Sequence, residues 1–282
     1  MTTPDPVRII SKVDDLPTLP RTVFKITELV NDPKSSAKEL ARIITEDQVL
    51  TARLLKLVNS SFYGFPQRVS TVTAAIVLLG FDAIRNLLLT TSVFDLFAIK
   101  STRQPKNQEQ FWDHSLGCAV GAKVIGTHLR QDKIEELFVA GLLHDIGKIV
   151  ELMFFPEDFN RVTRLTQDQN TLMTEAEVDI FGFTHAEIGK LLAERWNLPS
   201  KLLNVIAHHH QPSLAGAFTV EATIVHVADI FARALSLGSD GNDKVPQLDR
   251  NAWNNLKMDS ATIESLMERM VVEFEEINQF LA

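Results

Sequence analysis

Histidine and aspartate fall on apolar helical stretches of this chain in a way that invites metal chemistry. In "AGLLHDIGKI" (Ala140 to Ile149), His144 and Asp145 stand side by side among apolar residues. Two such groups cost stability in a core unless a metal, hydrogen bonds or solvent satisfies them. His114 lies in "FWDHSLGCAVGAKVIG", and His185 follows Thr184 in a Thr-His-Ala-Glu capping box. His209 shares a helical face with Leu202, Val205 and Ile206, with His210 beside it. Asp229 aligns with Val225, Ala228 and Ala232. A stripe of Ile134, Leu137, Phe138, Gly141, Leu142, Asp145 and Ile149 predicts a helix that turns Asp145 inward, with Gly141 and Gly147 letting another helix come close.

Seven side chains from several helices are hard to satisfy with hydrogen bonds alone. Imidazole and carboxylate are ligands for iron, manganese or zinc, and helices carry such ligands in all-helical metal proteins. Seven exceed the four of a tetrahedral zinc, which favours two divalent ions sharing a carboxylate over one, with Asp145 the natural bridge. Iron or manganese is the expected metal and zinc the alternative. Such ions lower the pKa of a shared water toward neutrality for attack on phosphorus. Lys148, one turn beyond Asp145, is placed either to donate to a phosphoryl oxygen or to snorkel to the surface. Asp145 and Lys148 are therefore the candidate catalytic residues.

Other polar groups carry less. Cys118 reads as a small buried hydrophobe. His128 and His208 are expected to face out, and His226 either orients a ligand or is an ordinary helix residue. "SDGND" (Ser239 to Asp243) reads as a loop, because Lys244 and Asn251 stand where a calcium loop needs oxygen ligands.

The elements that must position these groups are helical. "RTVFKITELV" places Val23, Ile26 and Val30 together; "SAKELARII" opens with Ser36 and Glu39 in capping-box spacing; "DQVLTARLLKLVNSSFYG" aligns Val49, Leu50, Leu54, Leu57 and Val58. "TVTAAIVLLGFDAIRNLLLTTSVFDLF" is apolar enough to predict burial nearly all round. "IKSTRQPKNQ" (Ile99 to Gln108) is the expected boundary. That predicts an N-terminal helical part over 10–100, a helical part bearing the ligand set over 108–240, and an extension over 241–282. The extension ends in a helix with Ile263, Leu266, Met267, Met270, Phe274 and Ile277 inward and a mostly acidic outer face.

The whole is 45% hydrophobic and 23% charged with net charge −8, pI about 5.5 and mean hydropathy +0.03. That describes a globular chain with a large core and argues against a surface that grips nucleic acid throughout. Between Lys34 and Arg68 six bases face three acids, too small a surplus to favour DNA despite a helix-turn-helix flavour. A single cysteine fits a reducing compartment. The N-terminus shows no signal-peptide core, and "AAIVLLGF" is short for a membrane span. A cytoplasmic protein without membrane segments is expected.

The order His114, His144-Asp145, Asp229 resembles the HD metal-dependent phosphohydrolase superfamily, and His185 with His209-His210 looks like its binuclear branch. "LPTLP" (Leu16 to Pro20), "LLKLVNSSFYG" and "AIVLLG" are similar to the HDOD family of bacterial signalling proteins. The resemblance covers roughly residues 10 to 240. It implies an all-α, two-layer protein, an N-terminal helical layer packed on a helical bundle, with a role in intracellular regulation through protein partners. "QPSLAGAFTVEA" lacks the Gly-Tyr-Pro signature of the cyclic-di-GMP phosphodiesterase branch, and Gln110 stands where the binuclear branch tends to have a glutamate, so a third metal is not expected. A signalling protein with a mono- or binuclear metal site is the first reading, and a phosphohydrolase acting on a phosphoester or nucleotide the second. A di-iron oxygenase and a DNA-binding module stand behind both.

Overall fold

The computed structural model describes residues 21–32, 34–60, 63–98, 105–239, 241–242 and 244–281. The Leu16–Pro20 motif and part of the expected boundary, 99–104, lie outside them. Among the described residues the chain is all helical, without strands. The helices are α1 (Arg21–Asn31), α2 (Ala37–Thr45), α3 (Gln48–Val58), α4 (Val72–Ala98), α5 (Pro105–His128), α6 (Ile134–Leu143) and α7 (Ile146–Phe154). Then follow α8 (Pro156–Gln169), α9 (Met173–Phe181), α10 (His185–Arg195), α11 (Ser200–His208), α12 (Thr219–Ala234), α13 (Arg250–Asn254) and α14 (Ser260–Leu281). Two short 3-10 turns, Pro212–Leu214 and Gly216–Phe218, join α11 to α12.

Helix starts follow local chemistry. Ser36 caps α2 by accepting from the Glu39 N–H at 3.2 Å, and Asp47 caps α3 through Leu50 N–H at 3.0 Å. Thr184 and Glu187 form a reciprocal capping box at the head of α10, with Glu187 Oε2 accepting from Thr184 N–H at 2.8 Å.

The two layers share α4. Ile26, Leu40, Ile44, Leu54, Val58, Ile76, Ile84 and Leu88 form one apolar cluster, to which α1 to α4 contribute. A larger cluster gathers α5 to α12 and α14, and Leu89 of α4 belongs to it, one residue from Leu88. A fully buried leucine of this kind contributes about 1.5–3 kcal/mol. α4 is buried continuously over residues 83–92. Its first half departs from the expected all-round burial, with Val77 73% and Leu78 57% exposed. Gly80 (φ 84°, ψ 171°) breaks the helix between the halves in a conformation that L side chains rarely adopt. Val72–Ser92 is long and apolar enough to cross a membrane by length and composition, which the shorter "AAIVLLGF" did not suggest, yet 56% of its window is buried in the protein. Val49, expected on the α3 stripe, is 61% exposed, while Leu50, Leu54, Leu57 and Val58 are buried. On α14, Leu266, Met270 and Ile277 are buried and Glu264, Glu268, Glu275 and Glu276 are exposed.

Candidate metal centre

His144 and Asp145 are not mid-helix, as the stripe predicted. α6 ends at Leu143 and α7 begins at Ile146, so the pair forms the turn between them. Asp145 is the N-cap of α7, yet its side chain makes no capping hydrogen bond. A capping aspartate ordinarily turns its carboxylate back to the first-turn N–H groups. Here it is aimed into the protein. His114 comes from α5, His185 is the first residue of α10, His209 and His210 follow the end of α11, and Asp229 lies in α12. His114, His144, Asp145, His185, His209 and Asp229 are at most 2% exposed, and His210 is half-buried.

The structure brings all seven together in two groups that meet at Asp145. Asp145 Oδ1 lies 3.1 Å from His185 Nε2 and 3.6 Å from His209 Nε2. His185 Nε2 is in turn 3.0 Å from His210 Nε2 and 3.4 Å from His209 Nε2. On the other side, Asp145 Oδ2 lies 3.3 Å from His144 Nε2 and 3.6 Å from His114 Nε2. Asp229 Oδ1 is 3.1 Å from His114 Nε2 and 3.8 Å from His144 Nε2. Ligand atoms about 2.1 Å from one ion stand roughly 3.0–3.4 Å apart in octahedral or tetrahedral geometry. The spacings suit two such shells sharing one carboxylate.

Hydrogen bonding supports the fit. Gly141 O accepts from His144 Nδ1 at 2.7 Å and Ile206 O from His209 Nδ1 at 2.8 Å; a carbonyl only accepts, so those nitrogens carry the hydrogens. Each Nε2 lone pair then faces the centre, the arrangement metal-ligating histidines use. Both nitrogens of His114, His144 Nε2, Asp145 Oδ1 and Asp229 Oδ2 are buried without a hydrogen-bond partner. Orphaned polar atoms cost about 1–3 kcal/mol each. One or two cations would satisfy most of them together.

Burial lowers the His144 pKa, but Asp145 outweighs it and leaves it raised, so a cation would displace a proton from this imidazole. Burial raises the Asp145 pKa, but His144, Lys148 and His185 outweigh it and hold the carboxyl well below its usual range. Burial likewise opposes ionisation of Asp229, which Arg233 and His114 overcome. His209 is pushed down to about 4, chiefly by burial, so its imidazole is neutral and available as a ligand.

Glycines permit the assembly. A Cβ on Gly141 would stand 2.8 Å from Cys118 O of α5, and one on Gly147 only 1.9 Å from His185 O of α10. The two helices that bring His114 and His185 thus rest directly on the turn bearing the His-Asp pair.

Lys148 is fully buried, which removes the snorkelling reading; its Nζ donates to Asp145 Oδ2 at 2.7 Å. Sequence reasoning passed over three charged residues, of which Glu177 and Arg233 each bond a side chain of the centre. Glu177 of α9 is fully buried, accepting from the His185 backbone N–H at 2.9 Å and from His185 Nδ1 at 2.8 Å. Burial lowers the His185 pKa, but this carboxylate leaves it raised. Arg233 donates from Nε to Asp229 Oδ1 at 2.8 Å, an i,i+4 pair visible in the sequence once Asp229 is singled out. Glu151, one turn beyond Lys148, is fully buried with neither oxygen hydrogen-bonded; burial, then Glu177, raises its pKa well above the usual range.

The remaining candidates fall outside the centre's nitrogens and oxygens. His226 Nδ1 donates to His209 O at 2.8 Å and its Nε2 accepts from Asp249 N–H at 3.0 Å, so it supports the segment carrying His209. Cys118 is buried, its thiol pushed up by burial. His128 is exposed, His208 half-buried and Gln110 exposed. A cleft of about 360 Å³ opens beside His185, His210 and Lys148.

Fold and site together define an all-helical protein with a buried histidine–aspartate cluster of metal-binding type. The HDOD domain model matches residues 16–212, and the chain belongs to that family. It is similar to an HDOD domain protein of unknown function from Geobacter sulfurreducens, with 29% identity and a TM-score of 0.76 over 98% of this chain and 94% of that one. A candidate phosphohydrolase from Shewanella amazonensis superposes with a TM-score of 0.73 and 26% identity, covering 97% and 98% of the two chains. An uncharacterized protein of Treponema pallidum is 28% identical over 257 residues, which is 89% of this chain. The chain spans about half the length of that curated relative, 48%.

Proposed function

We propose that this chain is a cytoplasmic signalling protein of bacterial type whose centre binds two divalent ions, iron or manganese in preference to zinc. His114, His144 and Asp229 would hold one ion and His185, His209 and His210 the other, with Asp145 available to both. The observation that carries this reading is Asp145 itself, with one oxygen toward each histidine group and no helix-capping bond to occupy it. Residues 10–100 form the regulatory part that meets partner proteins and 108–240 house the centre; of the extension over 241–282, Asn242 and Lys244 to Gln247 line the cleft beside the centre and α14 packs on α5. The test is elemental analysis of protein purified without added metal or oxygen. About two ions per chain are expected, and their loss in Asp145→Ala; a metal-free wild type ends the proposal.

A second reading, phosphoester hydrolysis, is favoured by the cleft, which places Lys148, Arg233 and Lys244 around His185 and His210. When bound, two ions supply Lewis acidity and a nucleophilic water near neutral pH. Lys148 keeps Asp145 ionised and offers an ammonium to a phosphoryl oxygen at the cleft wall. Arg233 does the same for Asp229, and Glu177 keeps the His185 ring oriented. Turnover of a phosphomonoester by metal-loaded protein, abolished in Lys148→Ala with metal retained, is the expected result. Turnover surviving in Asp145→Ala refutes the mechanism.

A further inference from the structure

The two histidine groups of the centre stand differently toward solvent. His185 and His210 line the cleft of about 360 Å³, and His210 is half-buried. His114, His144 and Asp229 are fully buried, and none of them is among the described lining residues of the cleft. The second group is therefore the inner one.

Two cations separate that inner group from the cleft. Lys148 lines the cleft and donates to Asp145 Oδ2, the oxygen that faces His144 and His114. Arg233 lines it too and donates from Nε to Asp229 Oδ1 at 2.8 Å. Its Nη1 donates to Asn242 O at 3.3 Å, on the same wall, which fixes the guanidinium in place. Each cation thus has the cleft on one side and an inner carboxylate on the other. A metal ion moving between the inner group and the cleft would pass two fixed positive charges, which repel it. The helices that carry the inner group offer no easier way. Leu116 and Cys118 of α5, Leu143 of α6, and Val225 and Ala228 of α12 are fully buried. Passage on that side needs these helices to part, an opening that costs free energy.

We infer that the two ion positions exchange unequally: the outer one, at His185, His209 and His210, trades its divalent ion with solvent through the cleft, while the inner one, at His114, His144 and Asp229, keeps its own. This rests on the two-ion reading. The chain then passes between a one-ion and a two-ion form as free divalent metal falls and rises. Asp145 keeps its inner partners throughout, and only its Oδ1 side, with His185 and His210 at the cleft, changes state. Free divalent metal is in this way an input that a signalling protein of this build can read.

A chelator challenge of the full chain, saturated with manganese and freed of excess metal, tests this without turnover. Metal per chain is followed by mass spectrometry after addition of EDTA, and manganese EPR distinguishes a coupled pair of ions from an isolated one. One ion should leave first and the second about tenfold or more slowly, because its release waits on local opening. The coupled signal should give way to the isolated one between the two phases. His210→Ala should hold about one ion and show the slow phase alone, and His210→Gln repeats the test should the alanine variant fold poorly. Asp229→Asn should lose the slow phase. Departure of both ions in a single phase, fast loss from the His210 variants, or a slow phase that survives in Asp229→Asn overturns the inference and leaves the two-ion reading standing. A saturated wild type with fewer than two ions overturns both.

Discussion

Replacing Glu177 by glutamine removes one negative charge from behind His185 while keeping shape and one acceptor oxygen. Both Glu177 oxygens lie 2.8 Å from His185 Nδ1, and Oε2 also accepts the His185 backbone N–H. With the carboxylate gone, the imidazole loses basicity and the ring loses its fixed tautomer. Partners of metal-ligating histidines are worth about 10–100-fold in affinity. At free metal 100 times Kd, binding stabilises the native state by about 2.7 kcal/mol. A 30-fold loss leaves RT ln(1 + 3.3), about 0.9 kcal/mol. At roughly 2–4 °C per kcal/mol for a chain of this size class, the share of the metal-induced rise in Tm owed to the ion that His185 would hold falls from about 5–11 °C to about 2–4 °C. Differential scanning calorimetry of Glu177→Gln and wild type, each with and without manganese, reads this directly. Metal-free Tm values serve as the folding control. A variant whose metal-induced rise equals that of the wild type refutes the argument that Glu177 acts through a ligating His185.

Four further outcomes are expected. Asp145→Ala leaves the fully buried Lys148 ammonium without the carboxylate it touches, and removing one partner of a buried pair costs about 3–5 kcal/mol, readable as a lower urea midpoint; an unchanged midpoint contradicts it. Gly147→Ala places a Cβ 1.9 Å from His185 O, so α10 must retreat by roughly 1.5 Å to reach van der Waals contact. Loss of the metal-induced stabilisation together with about 1–3 kcal/mol of overpacking is expected in calorimetry, and a wild-type profile would disprove the close approach. Cys118, buried with its Sγ 3.7 Å from Val225 O of α12 and its thiol pushed up by burial, should resist a disulfide reagent at pH 8 in the native protein and react once unfolded; fast native labelling counts against that place beside α12. The backbone N–H of Ala252, then that of Asn251, holds the Asp249 carboxyl below its usual range. Its folded pKa is depressed, so its contribution is present above the unfolded value of about 3.9 and is lost as pH falls through the folded one. Thermal stability of the wild type should drop more steeply below about pH 4 than that of Asp249→Asn, and parallel curves would refute it.

Helical periodicity placed Asp229 on the inward face of α12 and turned Asp145 and His209 inward, although both stand just outside a helix, and the capping box located the head of α10 with His185. These are local properties, written in residues three and four apart, and they survive into the fold. The same reasoning ran one helix through His144 and Asp145, because apolar spacing continues across the turn and nothing in the residue types marks the break. It also placed Val49 inside, since membership of a stripe states a direction and not what stands opposite. Glu177 gave no signal, lying eight residues before His185 across the turn at Gly182, where no helical register relates them.

The sequence by itself thus determined the helical class, the family resemblance and the identity of the seven polar side chains with inward or cluster-facing positions. Only the tertiary structure decided that they meet, that the two oxygens of Asp145 divide between two histidine groups, and that Lys148 is buried against it. The physical reason is that spacing along a helix orients a side chain about its own axis. The distance between side chains on different helices is set by how closely those helices pack, and at Gly141 and Gly147 that packing brings backbone against backbone.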